Sequence, residues 1–213
     1  MSKHPELNAH EARLLGVLYE KERTTPDQYP LSLHALTAGA NQKSNREPMT
    51  DWSEAEVFVG VTGLMQKGLA GKVAPAGSRV EKFRHNAHET LGLDERKMAL
   101  LSELLMRGPQ TIGELRARAN RMSELGAVEA VLANLISMAE SGFVRRMGAS
   151  PGSRAERWTQ LLSANLHPID PVTESSLTES RSPGAPSKLE ERVAKLESRI
   201  EVLERALEDL GGI

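Results

Sequence analysis

The sequence predicts a mainly α fold with small β-hairpin wings: two tandem winged-helix (helix-turn-helix) modules, then a flexible linker and a C-terminal coiled-coil helix. Three observations predict it. An internal repeat of about 80 residues organises the first 165 positions of the chain. Each copy reads as three helical patterns and then two short extended segments around a Gly-containing turn, which is the order of a winged helix. Finally, a heptad of Leu, Val and Ile follows a stretch rich in Pro and Ser.

The repeat is carried by two pairs of segments. "SLHALTAGAN" (Ser32–Asn41) matches "TIGELRARAN" (Thr111–Asn120), with Leu33 on Ile112, Leu36 on Leu115 and a shared Ala-Asn ending. "GLAGKVAPAGSRVEKF" matches "GFVRRMGASPGSRAERW", with Gly68 on Gly142, Gly77-Ser78-Arg79 on Gly152-Ser153-Arg154 and Phe83 on Trp158. The matches keep their order, and so long a period points to domain duplication rather than a short-repeat solenoid. The modules are assigned to residues 1–90 and 91–165, the linker to 166–187 and the coiled coil to 188–211.

In the first module, Asn8-x-x-Glu11 starts a helix with Leu14, Leu15 and Leu18 on one face. "TTPDQYP" breaks it, an extended piece Leu31–Leu33 follows, and a second helix covers His34–Ala40. Ser53-x-x-Glu56 is a capping box for a third helix with Val57, Val61 and Leu64 inward, stopped by Gly68. Leu69–Ala74 and Val80–His85 form the hairpin. In the second module, Asp94 starts a helix with Met98, Leu101, Leu104 and Leu105 inward, and Gly108-Pro109 ends it. Thr111-x-x-Glu114 caps the short second helix. The third is expected from Glu124 to Glu140 with Val128, Leu132, Leu135 and Ala139 on one face. Its hairpin is Phe143–Met147 and Ala155–Leu161.

Residues Leu166–Ser187 carry few apolar side chains and read as a disordered linker. Beyond them Leu189, Val193, Leu196, Ile200, Leu203, Leu207 and Leu210 alternate spacings of 4 and 3, a heptad seam. Glu190, Glu197 and Glu204 fall at e, while Arg192 and Arg199 fall at g. A parallel pair sets Arg192 against Glu197 and Arg199 against Glu204; an antiparallel pair sets like charges together. Self-association as a parallel dimer is therefore expected, the alternative being a helix docked on the body.

Composition narrows the function classes. Among 213 residues there is no Cys, which excludes disulfides, thiolate zinc sites and a Cys nucleophile. Neither an apolar signal-peptide core nor a run approaching roughly 18 apolar residues is present, so a cytoplasmic protein without membrane contact is expected. Residues 1–91 carry 11 basic and 11 acidic groups, 92–167 carry 10 and 8, and 168–213 carry 6 and 10. The body is near neutral, and this bulk charge does not argue for DNA. No P-loop, G-x-G-x-x-G or G-x-S-x-G occurs. His85 and His88 are the only close histidine pair and, without a second ligand pair, read as surface residues; no metal or other cofactor is expected. Most Asp and Glu fall at helix starts or predicted solvent faces. An enzyme is not expected.

Two winged-helix units, "NQKSNREP" after the first short helix and "GAVEAVLANL" at the later long one resemble the YceH-like family of uncharacterised bacterial proteins, over roughly residues 4–165. The resemblance implies a tandem winged-helix fold without enzymatic activity.

A DNA-reading winged helix presents Arg, Lys, Asn or Gln on its third helix. Both third helices here are poor in them: Ser53–Gly68 offers Gln66 and Lys67 only near its end, and Glu124–Glu140 has Asn134 but no Lys or Arg. Cations lie instead at Lys43 and Arg46, at Arg116, Arg118 and Arg121, and on the wings at Arg79, Lys82, Arg145, Arg146 and Arg154. These are the candidate nucleic-acid contacts, gripping phosphate without reading bases. The sequence therefore leans to a DNA-associated, transcription-regulator-like protein. The alternative is a protein-interaction adaptor using the third-helix faces. The stretch "ANQKSNREPM" falls in the first helix-turn-helix turn, which is about five residues longer than its duplicate.

Overall fold

Helix starts follow the capping residues. In the computed structural model, which describes residues 4–74, 80–148, 155–164 and 166–167, helix α1 spans Ala9–Thr24 behind a complete capping box of Asn8 and Glu11. Strand β1 is Leu31–Ser32, and α2 is Leu33–Ala40 with Ser32 as its cap. Helix α3, Glu54–Gln66, opens on the Ser53/Glu56 capping box. Strands β2, Ala70–Val73, and β3, Lys82–His85, form the antiparallel hairpin. A one-turn helix α4, Ala87–Leu91, leads through Gly92 at φ +65 to α5, Glu95–Arg107, capped by Asp94. Strand β4 is Gln110–Thr111, and α6 is Ile112–Ala119 behind the Thr111/Glu114 box. Helix α7 covers Val128–Glu140, followed by β5, Val144–Met147, and β6, Arg157–Gln160.

The order helix, strand, helix, helix, strand, strand thus occurs twice. Each half has its own three-stranded antiparallel sheet, ordered β1-β3-β2 and β4-β6-β5. The short strand before the second helix pairs with the last strand in both: Leu31 faces Phe83, and Gln110 faces Trp158. Mainly helical with small sheets, this arrangement is consistent with a winged helix. Linker residues 168–187, the heptad residues, Arg79 and Arg154 lie outside the described residues, whereas Leu166 and His167, assigned to the disordered linker, are buried against the body.

The halves share one core. Leu14, Leu15, Val17, Leu18 and Tyr19 of α1 and Leu100, Leu101, Leu104 and Leu105 of α5 have no solvent exposure. The two helices pack directly on each other. Gly16 permits this: a Cβ there would stand 2.8 Å from Met106 Cγ and 3.1 Å from the Ser102 carbonyl oxygen. Tyr19 Oη donates to the Glu95 carbonyl at 2.9 Å, and Arg23 pairs with Glu95 at 2.6 Å. The Leu7 amide reaches the Leu162 carbonyl at 2.7 Å. Among the described residues no helix is long and apolar enough to cross a membrane.

Two expectations need correction. Helix α7 begins at Val128, not Glu124, because residues 120–127 form a turn: the Leu125 amide bonds Asn120 Oδ1 at 3.2 Å, Leu125 is buried, and Gly126 has φ +74. Its inward stripe is Val131, Leu135 and Met138, while Val128 and Leu132 face out. Both sets fit helical spacing, so periodicity alone selects neither.

The Gly16 contact makes a prediction. Gly16→Val forces side-chain volume against the α5 backbone and should lower unfolding stability by roughly 2–3 kcal/mol. A urea titration would read it as a lower midpoint at unchanged slope. A midpoint within error of the parent would mean that the α1–α5 spacing is not tight.

Candidate functional site: the 41–53 turn and the outward third-helix faces

Residues 41–53 link α2 to α3, and residues 120–127 link α6 to α7, so the first connection is the longer by five. The extra length returns the chain to the core. Asn41 clasps the turn: Nδ2 donates to the Trp52 carbonyl at 2.7 Å, while Oδ1 accepts from the Trp52 amide at 2.8 Å and from Thr50 Oγ1 at 3.1 Å. Asn45 sits at φ 60, a left-handed conformation that Asn tolerates better than most residues. That bend turns Arg46 inward.

Arg46 is buried, and its guanidinium forms a bidentate pair with the buried Glu20 carboxylate of α1. Its Nε also donates to the Gly39 carbonyl at 3.0 Å, and one terminal nitrogen donates to Asn45 O at 2.8 Å. Arg121 bridges Glu20 at 2.9 Å and Glu103 of α5 at 2.8 Å. Arg107 pairs with Glu103 at 3.0 Å and donates to Asn45 Oδ1. Burial raises the Glu103 pKa above the usual carboxylate range against the pull of Arg121 and Arg107. Around this cluster, fully buried Arg13 donates to Pro48 O at 2.8 Å and Ala40 O at 3.4 Å. Burial, with Arg46 nearby, pulls the Arg13 pKa down to about 10. The Glu47 amide donates to Met106 O at 2.8 Å, and His167 Nε2 donates to Glu47 O at 2.6 Å.

This corrects the reading of Arg46 as a phosphate contact: every nitrogen of its guanidinium is engaged inside the protein. Arg121 is likewise held by two carboxylates. Of the other cations, Arg118 pairs with Glu114 at 3.3 Å, and Arg146 pairs with Glu156. Arg116 is exposed and donates through Nε to Gly126 O at 2.7 Å. Lys43 is exposed, and Lys82 and Arg145 are half-buried. Among these residues, then, Arg46 is withdrawn into the interior, and Arg118, Arg121 and Arg146 are paired with carboxylates.

The 41–53 turn lies within a matched stretch: the family described as "Protein of unknown function, DUF480" matches residues 7–153. The chain is 42% identical over 214 residues to a UPF0502 protein of Shewanella pealeana, covering 96% of this chain and 98% of that one. It is 39% identical to one of Solibacter usitatus, covering 95% of each chain, and 41% identical to one of Dechloromonas aromatica, covering 95% and 94%. The chain belongs to the DUF480/UPF0502 family. This bears out the resemblance drawn from "NQKSNREP" and "GAVEAVLANL". The matched residues run from α1 into the second hairpin, so they include both third helices.

In this UPF0502 chain those helices present apolar side chains to solvent. On α7, Val128, Leu132 and Ile136 are 42%, 37% and 46% exposed. They lie at i, i+4 and i+8, one stripe of the helix. Ala133, Glu129 and Glu140 are exposed beside them. On α3, Phe58 and Val59 are exposed, with Glu54 and Glu56 in the first turn.

The histidine pair also differs from expectation. His85 is buried, not on the surface. Its Nδ1 accepts from the Ala87 amide at 3.3 Å, so Nε2 carries the proton and donates to Glu22 at 2.8 Å. That hydrogen bond lowers the Glu22 pKa. His88 Nδ1 donates to Leu93 O at 2.9 Å. Tyr19 and Tyr29 pack on this pair.

Glu20, Glu103, Arg13 and Arg107 were absent from the candidate residues. A signal existed for one of them: Glu103, with Ser102, interrupts the Leu run of "MALLSELLM", whereas Arg13 follows His10, Glu11 and Ala12 and stands out by nothing in the sequence. Arg46→Ala leaves the Glu20 carboxylate with Arg121 as its remaining cation and should cost about 2–3 kcal/mol of unfolding free energy, whereas Lys43→Ala should stay within about 0.5 kcal/mol. Parallel denaturant titrations of both variants check this. Equal, small effects would mean that the cluster is solvated in solution.

Proposed function

We propose that this family member is a non-catalytic tandem winged-helix protein that binds a partner protein through the outward faces of its third helices. The observation that carries the reading is the exposed Val128, Leu132 and Ile136 stripe on α7. In a winged helix this element would enter the major groove, where base edges call for hydrogen-bonding or cationic side chains. An apolar stripe bordered by carboxylates suits a protein surface better. Parallel self-association through Leu189–Leu210 accompanies this reading on the strength of the heptad and its e/g charges.

A second reading, association with DNA backbone, keeps support from Lys43, Lys82 and Arg116, none of which is paired with a carboxylate among the described residues. The two separate by experiment. Leu132→Asp with Ile136→Asp alters only exposed positions, so the folded state should persist by circular dichroism. Partner capture, scored by quantitative mass spectrometry against the parent, should fall at least tenfold. Replacing Lys43, Lys82 and Arg116 by Ala should leave capture unchanged. The reverse pattern overturns the proposal: unaltered capture by the Asp variant, with duplex DNA binding at about 50 mM salt that the Ala variant loses.

A further inference from the structure

The exposed stripe on α7 has a one-sided border that specifies its partner. At 100° per residue, Val128, Leu132 and Ile136 advance by about 40° each across the outward surface. Val131, Leu135 and Met138 lie inward of them and are buried. Beyond Ile136, on the solvent side, come Glu129 and Glu140, both exposed. These two glutamates are eleven residues apart, about three turns and ~16 Å along one edge.

No Lys or Arg lies on α7. The cations bonded to it come from other elements: Lys97 of α5 donates to Ser137 Oγ at 3.1 Å, and Arg116 of α6 reaches Gly126 O ahead of its first turn. Glu140 ends the helix, where the negative end of the helix dipole adds to its charge. Helix α3 has the same length and buries Val57, Val61 and Leu64 at the matching positions, yet sets Glu54 and Thr62 where α7 has Val128 and Ile136. The continuous stripe therefore belongs to α7.

We infer that α7 docks an amphipathic helix of a partner protein, one carrying an apolar stripe of three turns flanked along one edge by two basic side chains about eleven residues apart. This rests on the reading of α7 as a protein-binding face. Apolar burial supplies attraction, while the two glutamates set the sign and register of the partner.

The test uses the full-length chain and three fluorescent helical peptides of about 18 residues with an identical Leu stripe. Their edge carries Lys at two positions three turns apart, Glu at those positions, or Gln. The Lys peptide should bind about fivefold more tightly than the Glu peptide, the effect of two exposed ion pairs. In the Glu129→Gln, Glu140→Gln variant that preference should shrink to within about twofold, with affinity for the Gln peptide unchanged. Leu132→Asp should abolish binding of all three. Equal affinity for the Lys and Glu peptides, or a preference that survives the double Gln variant, overturns the inference while leaving α7 as a protein-binding face. Binding of all three peptides that Leu132→Asp does not weaken removes the inference and that reading together.

Discussion

Two carboxylates in the interior set the terms for the rest of this structure. Glu20 on α1 and Glu103 on α5 are 3% and 0% exposed, on the two helices that form the shared core. An ionised carboxylate removed from water costs several kcal/mol unless cations and donors surround it. Three arginines meet that requirement, and they come from different parts of the chain: Arg46 from the 41–53 turn, Arg107 from the end of α5 and Arg121 from the turn after α6. Bidentate guanidinium geometry suits this role better than a lysine would. Arg121, in the second half, touches both carboxylates and so links Glu20 of the first half to Glu103 of the second.

The length of the 41–53 turn follows from the same demand. In the second half eight residues, 120–127, suffice to join the two helices. The first half must also carry a guanidinium back onto α1, and its additional residues make the bend at Asn45 and the return to Trp52. Arg13 then fixes the carbonyls of Ala40 and Pro48, on either side of Arg46. A polar, charged stretch that is largely exposed thereby sends one side chain, Arg46, into the interior. The carbonyl of Glu47 is in turn gripped by His167, far along the chain.

How much of this is legible in the sequence depends on the type of signal. Caps were decisive because their chemistry is local: Asn8, Ser53, Asp94 and Thr111 each begin the helix expected of them. The repeat was decisive for element order. Charge placement was not legible, because a guanidinium reads the same in solution and in a buried pair; what distinguishes Arg46 is the position of Glu20, twenty-six residues away. The α7 stripe was legible only through the repeat. Its periodicity allows two phases, but aligning Gly142 with Gly68 carries Val57, Val61 and Leu64 onto Val131, Leu135 and Met138, the side chains that are buried. The heptad and the wing tips lie outside the described residues, so their reading stays with the sequence.

The interior arrangement also shapes the surface. Arg46 reads as a surface cation in the sequence but is buried against Glu20, while Arg121 stays exposed and pairs with both core carboxylates. Arg118 and Arg146 pair with acids of their own. The apolar side chains Val128, Leu132 and Ile136 of α7 form a continuous exposed line. Helix α7 packs on α5 and α6 and so joins the core that α1, α5 and the ionic cluster share. A helix that is already formed and packed has less backbone freedom to lose on binding, and its exposed apolar stripe leaves apolar area in water. In the role proposed for α7, this exposed apolar line and the absence of Lys and Arg from the helix favour a helical partner over a phosphate backbone.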